Sequence, residues 1–127
     1  MLALGLVLSI SCGLFQNKDL AGKAVDRFHQ LFNEQSYSVI YHEADAQFHR
    51  SMTVPDFDDL LQAMQKSLGL FKQARQTGFQ SSGTIATLTY ESEFTRGKAT
   101  EQFGYAISSG GAALVSYSIT SPLLIRR

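Results

Sequence analysis

Hydrophobic positions repeat with two different periods along this chain, and the change from one to the other falls near residue 69. Beyond it the period is two. Residues 84–95 (TIATLTYESEFT) put Leu88, Tyr90 and Phe94 on one face and Ile85, Thr87, Thr89, Glu91 and Glu93 on the other. That alternation, rich in β-branched and aromatic residues, is what a half-buried strand requires. Residues 98–108 repeat it, with Glu101, Phe103, Tyr105 and Ile107 set against Gln102, Gly104 and Ala106. In residues 112–121, Val115, Tyr117 and Ile119 share one face and Leu114 takes the other. Residues 70–80 make a further strand ahead of these. Turns are expected at Ser81-Ser82-Gly83, Arg96-Gly97 and Ser109-Gly110-Gly111, and Pro122, which lacks an N–H, ends the pairing. Eleven residues at about 3.3 Å each span roughly 36 Å, so such a sheet twists and curls. Gly78, Gly97 and Gly104 are the places for it to bend or bulge.

Before residue 69 the spacing is helical. Residues 19–33 place Leu20, Ala24, Val25, Phe28, Leu31 and Phe32 on one stripe, with Asn17 or Asp19 as cap. Residues 37–50 carry the stripe Tyr37, Ile40, Tyr41, Ala44 and Phe48. Residues 53–68 begin at Thr53, hold Pro55 and three aspartates early, and bury Phe57, Leu60, Leu61, Met64 and Leu68. Gly69 closes this helix as its C′ residue. Helices grouped ahead of a meander predict an α+β fold: three N-terminal helices packed on a curved, four-stranded antiparallel meander, cone-like in form.

At 127 residues the chain suits one core, and 11 basic residues balance 11 acidic ones. A neutral domain without a basic stripe argues against nucleic acid as a partner. With a single cysteine, Cys12, no internal disulfide can form.

That cysteine follows the apolar run of residues 1–11 (MLALGLVLSIS), shorter than the roughly 20 residues a transmembrane helix needs. The run fits the apolar centre of a secretory signal. Leu8-Ser9-Ile10-Ser11-Cys12 resembles a bacterial lipoprotein processing site, with small residues ahead of a cysteine. It departs from that pattern in having Ser9 where leucine is usual and no Lys or Arg before the apolar run. The resemblance implies cleavage before Cys12, diacylation of its thiol and a lipid-anchored chain in the bacterial cell envelope, facing the periplasm or the exterior. A plain cleaved signal, an uncleaved anchor, and a buried first helix in which Cys12 packs as a small hydrophobe are the alternatives. The resulting division is a signal over residues 1–12, a tether over 13–18, the folded domain over 19–122 and a tail over 123–127.

The order of elements, with Phe32-Asn33-Glu34-Gln35-Ser36-Tyr37 between helices, Phe57 opening the third helix, Lys66-Ser67-Leu68-Gly69 closing it and Leu114-Val115-Ser116-Tyr117-Ser118-Ile119 in the last strand, resembles the nuclear-transport-factor-two-like, cystatin-like superfamily. Within it the likeness is to small bacterial secreted proteins and lipoproteins of unknown function. The resemblance implies an internal pocket and no particular activity, because isomerases, dehydratases, hydrolases and binding domains share the fold. Where relatives often carry Trp, this chain has Ala112 and Ala113, which would enlarge the cavity or mark a different packing.

No GxSxG, HExxH, CxxC or phosphate loop is present, and no cofactor or metal is expected. His42 and Asp45, spaced i, i+3, and Asp45 and His49, spaced i, i+4, would share a helix face as an acid–base or metal set, but that face lies off the apolar stripe and reads first as solvated. His29, beside Phe28, reads as surface. Tyr90, Tyr105 and Tyr117 are core residues able to offer phenols to a ligand. Glu101 is the one carboxylate the alternation carries inward. The expectation is therefore a non-catalytic, membrane-anchored domain binding a small ligand or a protein partner, or pairing as a homodimer through the sheet face of Ile85, Thr87 and Thr89. A cofactor-free pocket enzyme of the isomerase or hydrolase kind is the alternative.

Overall fold

The computed structural model describes the backbone of residues 2–124 and the side chains of residues 17–124. The fold is α+β, as the change of period predicts. Helices α1 (Leu2–Asn33), α2 (Tyr37–Glu43), α3 (Ala46–Ser51) and α4 (Val54–Leu68) precede strands β1 (Phe71–Ser82), β2 (Ile85–Phe94), β3 (Lys98–Ser108) and β4 (Gly111–Thr120). The strands form one antiparallel sheet in the order β1-β2-β3-β4, and a 3-10 turn (Pro122–Leu124) follows. Among the described residues, no helix is long and apolar enough to cross a membrane.

Two boundaries differ from the sequence expectation. Helix α1 begins well before Asp19, and the backbone is helical through residues 13–18. The helix expected over residues 37–50 is two helices. Asp45 separates them in an extended conformation, its carboxylate accepting from the Gln47 N–H at 2.9 Å as the N-cap of α3. Its own N–H donates to the Leu114 carbonyl at 2.8 Å, which docks the break on β4. A short polar side chain that can cap a helix competes with helix continuation, and here a strand carbonyl completes the bargain.

Two glycine sites flagged for bulging do bulge. Register shifts fall between Gln76 and Gly78 in β1 and between Gly104 and Tyr105 in β3. The second gives β4 an extra residue, Val115, between partners of adjacent β3 residues: Ser116 pairs with Gly104 and Leu114 with Tyr105. Strict alternation therefore fails for Leu114. It lies opposite inward Tyr105 and is buried, where an unbroken period of two would turn it outward.

The inner sheet face carries Leu88, Tyr90 and Phe94 from β2, Glu101, Phe103 and Tyr105 from β3, and Leu114 and Tyr117 from β4, all buried. Val25, Phe28 and Phe32 of α1 and Phe57, Leu61, Met64 and Leu68 of α4 complete the core. Phe103 sits at its centre. Its ring meets those of Phe28, Tyr90, Tyr105 and Tyr117 at 5.1, 5.9, 6.1 and 5.0 Å between centroids. Such aromatic pairs add about 0.5–1.5 kcal/mol each beyond the area they bury.

The turn between β2 and β3 fastens to the end of α4. Gly69 holds φ at +83°, and a Cβ there would lie 1.9 Å from the Thr95 hydroxyl oxygen. The Arg96 N–H donates to the Leu68 carbonyl, and the Arg96 guanidinium donates to the Lys66 carbonyl. A cation over the last carbonyls of a helix complements its dipole. Pro122 ends pairing as expected, and Leu124 of the tail packs against the core. Ile125, the rest of that apolar tail, lies outside the described residues.

Candidate functional site

Two adjacent polar sites lie on the inner face of β2 and β3. Both follow from one cross-strand pair, Tyr90 opposite Glu101. Side chains directly opposite on paired strands share a face, so the inward phenol carries the carboxylate inward with it.

Glu101 is 0% exposed and holds three hydrogen bonds. The Ser92 hydroxyl donates to Oε1 at 2.6 Å. His29 Nε2 donates to the same oxygen at 2.7 Å, since a carboxylate can only accept. The Tyr117 hydroxyl donates to Oε2 at 2.5 Å and lies 3.7 Å from the Met64 sulfur. Burial, with the neighbouring Glu101 carboxylate behind it, pushes the Tyr117 phenol well above its ordinary range, so it stays a donor.

His29 is 4% exposed, which overturns its reading as a surface residue. Residue 29 is one helical turn from Val25 and from Phe32, so the stripe of α1 includes it. Its imidazole stacks on Phe71, centroids 3.6 Å apart and planes within 3°. Asn33, one turn on, holds β1 in place: its amide accepts from the Phe71 N–H at 2.8 Å and donates to the Phe71 carbonyl at 3.0 Å. Four elements thus meet at one carboxylate: α1, β2, β3 and β4.

The second site is open. Tyr90 is only 8% exposed as a residue, but its hydroxyl has no protein partner among the described residues and reaches the surface, since no buried polar side-chain atom among them is left unpartnered. It lines a surface groove of about 640 Å³ between α1 and strands β1 and β2, together with Lys18, Asp26 and Gln76. Burial first, then the Asp26 and Glu101 carboxylates, push the Tyr90 phenol up to about 12. Tyr105 faces a narrow cleft of about 70 Å³ whose wall includes Ala112 and Leu114. That volume is far below the roughly 300 Å³ at which small-molecule pockets begin. Arg27 and Glu43 flank the cleft and join α1 to α2 through contacts of 2.8 and 2.6 Å.

The structure thus brings Glu101 and Tyr117 together, sets Tyr90 next to them facing outward, and leaves Tyr105 apart. Ser92 and His29 complete the cluster without having been named as site residues. Both were legible in the periodicity, Ser92 by lying between Tyr90 and Phe94 on their face. The set His42, Asp45 and His49 does not form. The Asp45 carboxylate is used as a cap, and His49 Nε2 bonds the Tyr41 carbonyl at 2.6 Å. The break in the helix removes the i, i+3 and i+4 geometry on which that set depended. Among the described residues, no group of three His, Cys, Asp or Glu side chains could hold a metal ion. The side chain of Cys12, the expected acylation site, lies outside the described residues.

A family described as "Protein of unknown function (DUF3887)" matches residues 25–107, more than half of the chain. No curated protein matches it. Among solved structures, the chain is similar to the solution structure of a SEC-C motif containing protein from Rhodopseudomonas palustris. The TM-score is 0.55 and the identity 14%, over 81% of this chain and 91% of that one. At that identity the likeness concerns the fold alone.

Proposed function

The chain belongs to the DUF3887 family of proteins of unknown function, and from that premise we propose that it is a non-catalytic recognition domain, tethered to the bacterial cell envelope by lipid on Cys12. The observation that carries the non-catalytic part is the state of Glu101. A general base must reach substrate within hydrogen-bonding distance. Glu101 has no exposed surface, and its two oxygens are occupied by Ser92, His29 and Tyr117. The carboxylate organises the fold and has no free lone pair aimed at a cavity. The anchor rests on the apolar run that ends at Cys12. Several acyl chains, at about 0.8 kcal/mol per buried CH₂, hold a protein stably on a bilayer.

On this reading the fold is of the nuclear-transport-factor-two-like kind, used for binding. The outer sheet face around Ile85, Thr87 and Thr89 then serves a protein partner or a second copy of the chain, and sedimentation across a concentration series tests the second copy. Mass spectrometry of the membrane fraction tests the anchor. The acylated mass is expected for the native chain and is lost in Cys12→Ala, which moves to the soluble fraction. A Cys12→Ala chain that stays on the membrane contradicts it.

A cofactor-free pocket enzyme is the second reading, favoured by one observation: a carboxylate, an imidazole and a phenol do converge inside the fold. It requires α1 to lift and open that cluster. Carbodiimide labelling separates the two. Glu101 unlabelled in the folded chain while Asp58 reacts supports the recognition domain; labelling of Glu101 at the rate of Asp58 supports the enzyme.

A further inference from the structure

We infer that the end of the sheet formed by the β1–β2 and β3–β4 turns rests on the lipid headgroups of the bilayer to which Cys12 is anchored. This deepens the anchored-domain reading and rests on it.

The first observation is the direction of α1. Asn17 and Leu20 share one surface hollow with Gly83 and Thr84 of the first turn and with Ser108 and Ser109 at the second. The Ile107 N–H donates to the Thr84 carbonyl at 2.7 Å and ties the two turns together. At the other end of the helix, Asn33 is bonded to Phe71 at the start of β1. The helix therefore enters the fold beside the two turns and runs away from them.

The second is the length of the link. The backbone of α1 is helical from Leu2 to Asn33. At 1.5 Å per residue, Cys12 and Asn17 are then only about 7.5 Å apart. The headgroup layer on each side of the hydrocarbon is itself about 5–7 Å deep. Acyl chains on Cys12 lie in the hydrocarbon, so a link this short keeps both turns at the headgroups. The gap is narrower than one helix, about 10 Å across, so the bilayer is the partner it fits and a folded protein is not.

The third is the distribution of charge along the sheet. Residues 76–90 and 102–125 contain no Asp, Glu, Lys, Arg or His. The charged strand residues, from Lys72 and Arg75 through Glu91, Glu93 and Lys98 to Glu101, all lie at or beyond the level of Tyr90, away from the two turns. The pairs Ile85–Ala106 and Glu93–Lys98 mark the two ends of the β2–β3 ladder. At about 3.3 Å per residue they stand roughly 26 Å apart. The exposed residues at the turns are only Ser, Gly and Thr. Charges are costly to bring against hydrocarbon, whereas hydroxyls and peptide groups exchange water for lipid phosphates and esters. With no large apolar side chain exposed at the turns, the contact stays in the headgroup layer. The nearest helix charges are matched or reach outward. Lys23 pairs with Asp19 at 3.3 Å, and Arg27 with Glu43 at 2.6 Å. Lys18 lies over the Phe79 ring, 5.9 Å from its centroid, and its long stem can carry the ammonium to a lipid phosphate.

The test is fluorescence quenching of the acylated full chain in phosphatidylcholine–phosphatidylglycerol vesicles. Acylation consumes the Cys12 thiol, so one new cysteine takes the fluorophore: Ser82→Cys or Ser109→Cys at the turns, Lys98→Cys at the far end. All three positions are exposed. The quencher is a nitroxide on the lipid headgroup. We expect quenching several-fold stronger at positions 82 and 109 than at 98, and stronger there than from a nitroxide placed mid-chain. Equal quenching at the three positions, on a chain shown by mass to be acylated and by flotation to be vesicle-bound, overturns the inference and leaves the anchor standing. A chain that is not acylated overturns both. Turns open to iodide on vesicles but shielded in native envelope membranes overturn it in favour of a protein partner.

Discussion

Tyr90 and Tyr117 sit on the same sheet face, pack against the same phenylalanine and are both at least nine-tenths buried. One phenol is bound to a carboxylate and sealed; the other has no partner among the described residues and opens to a groove. The burial of a residue therefore does not say whether its polar atom is used within the fold. What separates them is whether the hydrogen-bonding capacity is used within the fold. Glu101 accepts from three elements and so fixes α1 on the sheet. Tyr90, its direct neighbour across the β2–β3 ladder, packs its ring on Phe103 but bonds no described residue through its hydroxyl.

That contrast can be broken hardest at Glu101. Glu101→Ala leaves Ser92, His29 and Tyr117 as buried donors without an acceptor, and we expect a loss of about 3–4 kcal/mol in urea unfolding followed by circular dichroism. A loss under about 1 kcal/mol would show that water reaches the cluster. The phenols also predict an alkaline limit. Burial holds Tyr90, Tyr105 and Tyr117 above their ordinary value near 10. An acid whose folded pKa is raised keeps its full stabilising effect below the unfolded value and loses it as pH climbs through the folded one. The urea midpoint should therefore hold steady on the acid side of about pH 10 and fall beyond it, with Tyr90 ionising near 12. A smaller effect is expected at the α2–α3 break. Asp45→Ala removes the cap on Gln47 and should cost about 1 kcal/mol by the same assay.

Much of this was legible in the residues. The meander, its glycine bulge sites, the α4 boundaries and the inward turn of Glu101 all follow from period and turn chemistry. The failures have physical causes. A capping aspartate bonded to a strand carbonyl divided a helix whose apolar stripe reads as continuous. A bulge opposite Gly104 leaves Leu114 inward, because the inserted Val115 puts the alternation on its two sides out of phase. His29 was read by its polarity when its spacing from Val25 and Phe32 placed it in the core. Which phenol ends in the sealed cluster and which reaches the surface is a tertiary fact that no local pattern carries.

The most direct measurement compares the unfolding free energies of Tyr117→Phe and Tyr90→Phe, each of which removes one hydroxyl from the same core. The sealed phenol donates to a carboxylate, so its loss should cost about 1.5–3 kcal/mol, whereas loss of the open one should fall within about 0.5 kcal/mol of the native chain. Equal costs, or a larger cost at Tyr90, would contradict the division between a phenol sealed in the cluster and one that reaches the surface.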